Sequence, residues 1–310
     1  MNNKTCHNIL DAVGRTPLVC LGRVSPPGGA KIYAKVESLN PGGSIKTRTA
    51  LGMIEAAERA GKLKPGSIIL EVTSGNQGIA MSMIGAVKGY KVIIVMPENM
   101  SVERQKLIKA YGAEVVLAPA GHNITEAIEG ALAIAYDMAA KDSRIFMPKQ
   151  FENENNPDIH RTTTAQEILA QMDVPVDAFI SGFGTGGTIT GIGEILKAAN
   201  ANTLIVCAEP DKAAILAGKE IGHHVQQGIG DGIIPPILNR DVIDELILVS
   251  DDDACAASRR LAREEGILSG VSSGTNLTAA IEIARRLGPG KAVVTILPDT
   301  GERYLSTDLF

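Results

Sequence analysis

Short runs of β-branched and aliphatic residues alternate along this chain with segments whose apolar positions recur every three or four residues. Residues 31–36, 67–72, 91–96 and 114–117 have the make-up of strands, and 47–60, 79–87, 102–111 and 124–140 have helical spacing. The alternation then starts again, with helix 161–172, strand 178–181, helix 188–198, strand 203–208, strand 245–249, helices 251–265 and 276–287, and strand 292–297. Strand–helix alternation of this kind means parallel sheets covered on both faces. Two such series predict an α/β protein of two doubly wound parallel-sheet units. Ligands of such units sit at the carboxyl ends of strands, in the loops that open helices.

Composition narrows the partners. The 310 residues are 45% apolar, enough for a sizeable core, and their net charge of −5 argues against nucleic acid or an anionic membrane as main partner. The four cysteines, Cys6, Cys20, Cys207 and Cys255, form no Cys-x-x-Cys pair, and the five histidines add no metal-ligand spacing. Reduced thiols, no metal site and a cytoplasmic location are the expectation. No apolar signal core opens the chain, and no run approaches the ~18 apolar residues of a membrane span. The 33 glycines cluster in short runs between apolar segments, as in loops where backbone approaches a ligand.

Five glycine-bearing loops hold candidate chemistry. In Asn40-Pro41-Gly42-Gly43-Ser44-Ile45-Lys46-Thr47-Arg48 a lysine stands near a helix start, where the positive dipole end helps depress its pKa and favours a Schiff base with a carbonyl. A solvated lysine after a glycine turn would have the same local sequence. Thr73-Ser74-Gly75-Asn76-Gln77-Gly78 follows a strand and offers hydroxyls and N–H groups to a carboxylate or phosphate, or simply caps its helix. Ser181-Gly182-Phe183-Gly184-Thr185-Gly186-Gly187-Thr188 has consecutive backbone N–H groups and two hydroxyls at a helix start, a phosphate cradle. Its glycine spacing, with Glu209 ending the next strand, also imitates a dinucleotide fingerprint. Gln227-Gly228-Ile229-Gly230-Asp231-Gly232 and Gly270-Val271-Ser272-Ser273-Gly274 each read alone as turns.

Taken together and in this order, the loops resemble those of the cysteine synthase (O-acetylserine sulfhydrylase) family, pyridoxal 5'-phosphate (PLP) enzymes of fold type II with the tryptophan-synthase-β-like fold. The resemblance runs from Gly14-Arg15-Thr16-Pro17-Leu18 to Gly301-Glu302-Arg303-Tyr304-Leu305-Ser306-Thr307. It implies a smaller, mobile substrate-binding domain at 41–149 and a larger PLP-binding domain formed by 1–40 and 150–310. It also implies that Lys46 forms the Schiff base with PLP and later moves protons at the substrate α-carbon. Gly184, Thr185, Gly186, Gly187 and Thr188 would bind the cofactor phosphate, Asn76 the ring hydroxyl, and Ser272 the pyridine nitrogen. A neutral serine does not hold a proton on that nitrogen as an aspartate would, which favours elimination to an aminoacrylate over deeper carbanion chemistry. Thr73, Ser74, Gln77 and Gln150 would surround the substrate carboxylate, with Gly228 on the substrate side. The resemblance implies a homodimer. Some members of the family bind serine acetyltransferase through a C-terminal peptide, which makes that enzyme a candidate partner.

Four positions depart from the usual family pattern: Thr47 for an aspartate, Gln77 for a threonine, Ala165 where Thr-Thr-Gly is usual, and Asp231 for a small residue. Asp231 matters most, because its segment lies beside the substrate's β-substituent in the family. A carboxylate there can act as a general base toward water, or position an incoming amine or thiol, and it repels anionic sulfide. The expected reaction is therefore PLP-dependent β-replacement converting L-cysteine and water to L-serine and hydrogen sulfide. Within the fold the alternatives are cysteine synthesis from O-acetylserine and sulfide, lanthionine or cystathionine formation, and serine or threonine dehydration. Outside it stand an NAD-dependent dehydrogenase, which leaves Lys46 unexplained, and a non-catalytic binding module, which leaves the intact lysine and phosphate loop unexplained.

Overall fold

Strands with long buried runs are laid out as two sheets, each within its own unit of the chain. The computed structural model describes residues 5–73, 75–98, 102–120 and 124–310. One unit takes in Met1–Val13, described from residue 5, and Asn40–Asn155; the other takes in Gly14–Leu39 and Asn156–Phe310. Residues 5–13 and 150–155 therefore group with the unit that carries Lys46.

In chain order, β1 (Leu18–Leu21) and β2 (Lys31–Val36) open the second unit. The chain then builds the first unit from α1 (Lys46–Arg59), β3 (Ile68–Val72), α2 (Asn76–Lys88), β4 (Lys91–Pro97), α3 (Val102–Ala110), β5 (Glu114–Ala118), α4 (Ile124–Lys141) and β6 (Ile145–Phe146). It returns through α5 (Asn155–Ile159), a π-helical turn (His160–Thr164) and α6 (Ala165–Gln171). There follow β7 (Ala178–Gly182), α7 (Gly187–Ala199), β8 (Leu204–Pro210), β9 (Glu245–Val249), α8 (Asp251–Glu265), α9 (Val271–Leu287) and β10 (Ala292–Leu297).

The first unit's sheet runs β5-β4-β3-β6 with every pair parallel. The second runs β1-β2-β10-β7-β8-β9, parallel throughout except that β1 closes one edge antiparallel to β2. Leu70 lies opposite Ile93 in the first sheet, and Ile180 opposite both Thr295 and Val206 in the second. β10 is buried at every position and β4 at all but its first residue, as strands covered on both faces must be. The doubly wound α/β architecture is the one the strand–helix alternation predicts.

A buried cation anchors the start of the second unit. Lys35 on β2 has no exposed surface, yet its Nζ donates to Thr16 O at 2.6 Å and Gln171 Oε1 at 2.7 Å and pairs with Glu167 at 2.8 Å. Three oxygens offset the loss of water around the ammonium, and they fasten the Gly14–Leu18 motif to α6.

Two helices differ from the sequence pattern. The helix expected at 276–287 begins at Val271, because Ser272, Ser273 and Gly274 are helical despite their weak propensity. Tertiary packing decides it: a Cβ on Gly274 would strike the Ala254 carbonyl and come within 2.8 Å of Ser258 N, so α9 lies against α8 at backbone contact. The helix expected at 161–172 is a π turn followed by α6. Gly274→Ala should lower stability by about 3 kcal/mol or more, the upper range for overpacking, read as a fall in Tm.

Candidate active site loops

The loops that carry the candidate residues open helices in a distinctive way. The N-cap residues of α1, α2, α7 and α9 are Ile45, Gly75, Gly186 and Gly270, and none supplies a side-chain hydrogen bond. Ser250 Oγ by contrast accepts from Asp253 N at 3.1 Å at the start of α8, and Asn239 and Thr300 cap short 3-10 turns, while α6, which continues the π turn, also starts without a side-chain cap. Helix starts left without a polar cap present N–H groups and the positive dipole end, which suits an anionic ligand.

In the first unit, Lys46 is the first residue of α1 and is half-buried. Gly42 and Gly43, at φ +78° and +73°, turn the chain into it, and a Cβ on Gly42 would lie 3.2 Å from Thr47 Oγ1. Thr47, one of the departures, is fully buried and closes this turn by donating its hydroxyl to Pro41 O. Thr73 follows β3, and its Oγ1 accepts from Gly75 N at 3.2 Å. Ser74 lies outside the described residues. Asn76 is half-buried at the first position of α2. Gln77, the next residue, is 1% exposed, and neither its amide nitrogen nor its amide oxygen has a hydrogen-bond partner. An orphaned buried amide of this kind asks for a ligand or an ordered water. Gln150 is buried in the same unit, after Lys149 at φ +54°.

One residue of this unit was not singled out from the sequence. Glu71, 4% exposed near the end of β3, accepts from Val72 N at 3.2 Å and from the backbone of Gln150. Burial outweighs those two donors and pushes its carboxyl up to about 8, so at neutral pH it holds its proton. The group behind the Thr73 loop thus adds no negative charge to repel a carboxylate. The only sequence signal is a glutamate inside the apolar run Ile68-Ile69-Leu70-Glu71-Val72.

In the second unit, each glycine of the 184–187 stretch is needed for close approach. A Cβ on Gly184 would lie 2.5 Å from Gly228 O and 3.1 Å from Asp231 Oδ2; one on Gly186, at φ +82°, would lie 2.8 Å from Leu238 Cβ; and one on Gly187 would strike the Asn156 amide. Thr185 is buried and Thr188 half-buried. The Gly228, Gly230 and Gly232 turn is left-handed at φ +91°, +69° and +76°, and Gly230 N donates to Phe183 O at 3.3 Å. This fold of the loop sets the exposed Asp231 with its carboxylate beside Gly184. Its base is pinned by Gln226, fully buried, which donates to Val249 O and Asp251 and accepts from Thr275. Ser272 sits 4% exposed in the first turn of α9, braced where Tyr304 donates to Asp299 Oδ2 at 2.9 Å against Gly270.

Glu209 has a different task from the one a dinucleotide site would give it. Its two oxygens accept from Leu216 N at 3.0 Å and Ala217 N at 3.2 Å, so the carboxylate is spent on its own loop. No stretch of the described chain makes a metal cluster of three or more His, Cys, Asp or Glu residues. No described helix is long and apolar enough to cross a membrane.

An amine at a helix start, a glycine cradle with two hydroxyls at another, and a neutral serine at a third fit one cofactor class: the residues suit PLP on a fold-type-II scaffold. Comparison with known proteins bears on the same point. The family described as "Pyridoxal-phosphate dependent enzyme" matches residues 9–299. A cysteine synthase of Staphylococcus aureus is 49% identical over 311 residues, covering 100% of this chain and 99% of the relative. Among solved structures, an O-ureido-L-serine synthase superposes with a TM-score of 0.94 at 46% identity, covering 99% of this chain and 96% of the other. A hydrogen sulfide-producing enzyme of Fusobacterium nucleatum superposes with a TM-score of 0.93 at 39% identity, covering 98% and 99%. The chain belongs to the pyridoxal-phosphate-dependent enzymes and, within them, to the cysteine synthase family.

The Glu71 carboxyl yields a stability test. Its folded pKa lies above its ordinary 4.5, so its contribution is full below 4.5 and is lost as pH climbs through about 8. Each unit of that interval costs roughly 1.4 kcal/mol at most. Wild type should lose on the order of a few kcal/mol between those limits, whereas Glu71→Gln, which keeps the acceptor and carries no charge, should show a flatter Tm against pH.

Proposed function

We propose that the chain catalyses β-replacement on a small L-amino acid, and that its reaction is L-cysteine plus water to L-serine plus hydrogen sulfide. The carbon–sulfur bond at Cβ breaks, a carbon–oxygen bond forms in its place, and no carbon changes its overall oxidation level. The observation that carries this reading is the Asp231 carboxylate, exposed and placed beside Gly184 at the carboxyl end of β7. The hydrogen sulfide-producing relative supports the leaving group.

PLP, when bound, supplies the electron sink that lets a proton leave Cα and a substituent leave Cβ. Lys46 Nζ anchors that cofactor and serves as the base at Cα. Backbone N–H groups and hydroxyls of Gly184, Thr185, Gly186, Gly187 and Thr188 hold the phosphate, Asn76 the ring hydroxyl, and Ser272 Oγ the pyridine nitrogen. Thr73, Ser74, Gln77 and Gln150 receive the substrate carboxylate, a role in keeping with the orphaned amide of Gln77 and the uncharged Glu71 behind them. Gly228 leaves room on the substrate side, and Asp231 takes the proton of the entering water while repelling hydrosulfide. We place this activity in a cytoplasmic homodimer.

A second reading, cysteine synthesis from O-acetylserine and sulfide, is favoured by the 49% identical S. aureus cysteine synthase. Product analysis separates the two. Holoenzyme given L-cysteine alone should release sulfide and form serine faster than it makes cysteine from O-acetylserine and sulfide. Dominant cysteine formation would establish the second reading instead. Asp231→Asn should slow serine formation about 100-fold or more while a single turnover still releases sulfide. An unchanged rate of serine formation removes Asp231 from the role. Borohydride should bleach the yellow enzyme and fix the label on Lys46.

A further inference from the structure

The hydroxyls of Thr185 and Thr188 are each held from behind. Asn156 donates from Nδ2 to Thr185 Oγ1 at 2.9 Å, and both residues are buried. His160 has no exposed surface and lies between two threonines, with Nδ1 2.9 Å from Thr164 Oγ1 and Nε2 3.3 Å from Thr188 Oγ1. Both holders come from one short stretch, α5 and the π turn after it. That stretch meets α7 closely: a Cβ on Gly187 would strike the Asn156 side-chain amide, and one on Gly191 would strike the Pro157 backbone carbonyl. Single π turns are rare and concentrate at functional sites.

A threonine hydroxyl has one hydrogen to give and two lone pairs. An amide N–H aimed at Thr185 Oγ1 occupies a lone pair and leaves the hydroxyl hydrogen for another acceptor. An imidazole N–H aimed at Thr188 does the same. We propose that Asn156 and His160 are positioning residues that set the Thr185 and Thr188 hydroxyls as outward donors to the cofactor phosphate, with the His160 proton on Nε2 and Nδ1 accepting from Thr164. This rests on the reading of residues 184–188 as the phosphate site. With the polarity reversed, the two hydroxyls would present lone pairs to an anion, which repels them.

Two measurements test it. In holoenzyme labelled with 15N-histidine, the His160 signals, assigned by their loss in His160→Gln, should be those of a protonated Nε2 and an unprotonated Nδ1. The opposite tautomer overturns the proposal. Cofactor affinity is read by titrating PLP into enzyme from which it has been removed. Asn156→Leu and Thr185→Val should each weaken PLP about tenfold, the worth of one hydrogen bond to a charged group. Because Asn156 acts through the Thr185 hydroxyl, the double variant should bind no more weakly than either single one. Additive losses would mean that Asn156 merely fills space, and would overturn its part. Failure of wild-type enzyme to take up PLP overturns the phosphate reading together with this one. Normal uptake with additive losses or the wrong tautomer overturns this one alone.

Discussion

Helix N-termini left without a polar cap are the constraint on which this structure turns. Ile45, Gly75, Gly186 and Gly270 stand where Ser, Thr, Asn or Asp would ordinarily satisfy the first N–H groups of a helix. The chain can cap a helix, as Ser250 does for α8. At α2, α7 and α9 it forgoes on the order of 1 kcal/mol and leaves the first turn without a side-chain cap from the N-cap residue, whereas at α1 Lys46 N donates to Ser44 Oγ at 3.3 Å. The parallel sheets serve this arrangement, because a parallel strand must be followed by a crossover helix whose start lies at the strand's carboxyl end.

Close backbone approach supplies the stiffness that such donors need. Around α7 and α9 the spacing is set by glycines facing carbonyls and amides: Gly184 against Gly228, Gly187 against Asn156, Gly191 against Pro157, and Gly274 against Ala254. Three of these contacts are with backbone carbonyls, and the fourth, at Gly187, is with the buried Asn156 side-chain amide that Thr185 Oγ1 holds in place. The loop geometry therefore follows from the packing of neighbouring elements within the second unit. Lys35 adds a charged anchor at the other end of that unit, where Thr16, Gln171 and Glu167 meet.

Much of the fold was legible because burial leaves a local trace. Strands β2, β9 and β10 and helix α8 fall at their expected residues, β10 because two covered faces demand an apolar run, β2 and β9 because their short aliphatic runs stand out, α8 because Ser250 and Gly266 punctuate it. The start of α9 was not legible, since Val-Ser-Ser-Gly-Thr is a poor helix by propensity and is held helical only by α8. The two-residue β6 and the five-residue α5 are too short to establish a period. At the candidate loops, glycine spacing and a resemblance in sequence order pointed to Lys46, the 184–188 stretch and Asp231. Glu71, Asn156 and His160 escaped notice because a buried polar residue is defined by its partners, which lie elsewhere in the sequence. Glu209 shows the converse: its spacing imitated a nucleotide site until its oxygens proved to be bound to residues 216 and 217.

The loop that carries Asp231 is tied down just before its glycines and nowhere enters a sheet or helix. Gln226 fastens it to β9, α8 and Thr275 of α9, and at Gly228, Gly230 and Gly232 the backbone takes conformations that glycine adopts with ease. Position 231 lies outside every strand and helix of the described residues, so exchanging its side chain shifts no strand register. Under the proposed role of Asp231, choice of nucleophile and integrity of the scaffold become separate inheritable traits, so that a lineage can change what it makes by altering one exposed side chain while the machinery beneath stays as it was.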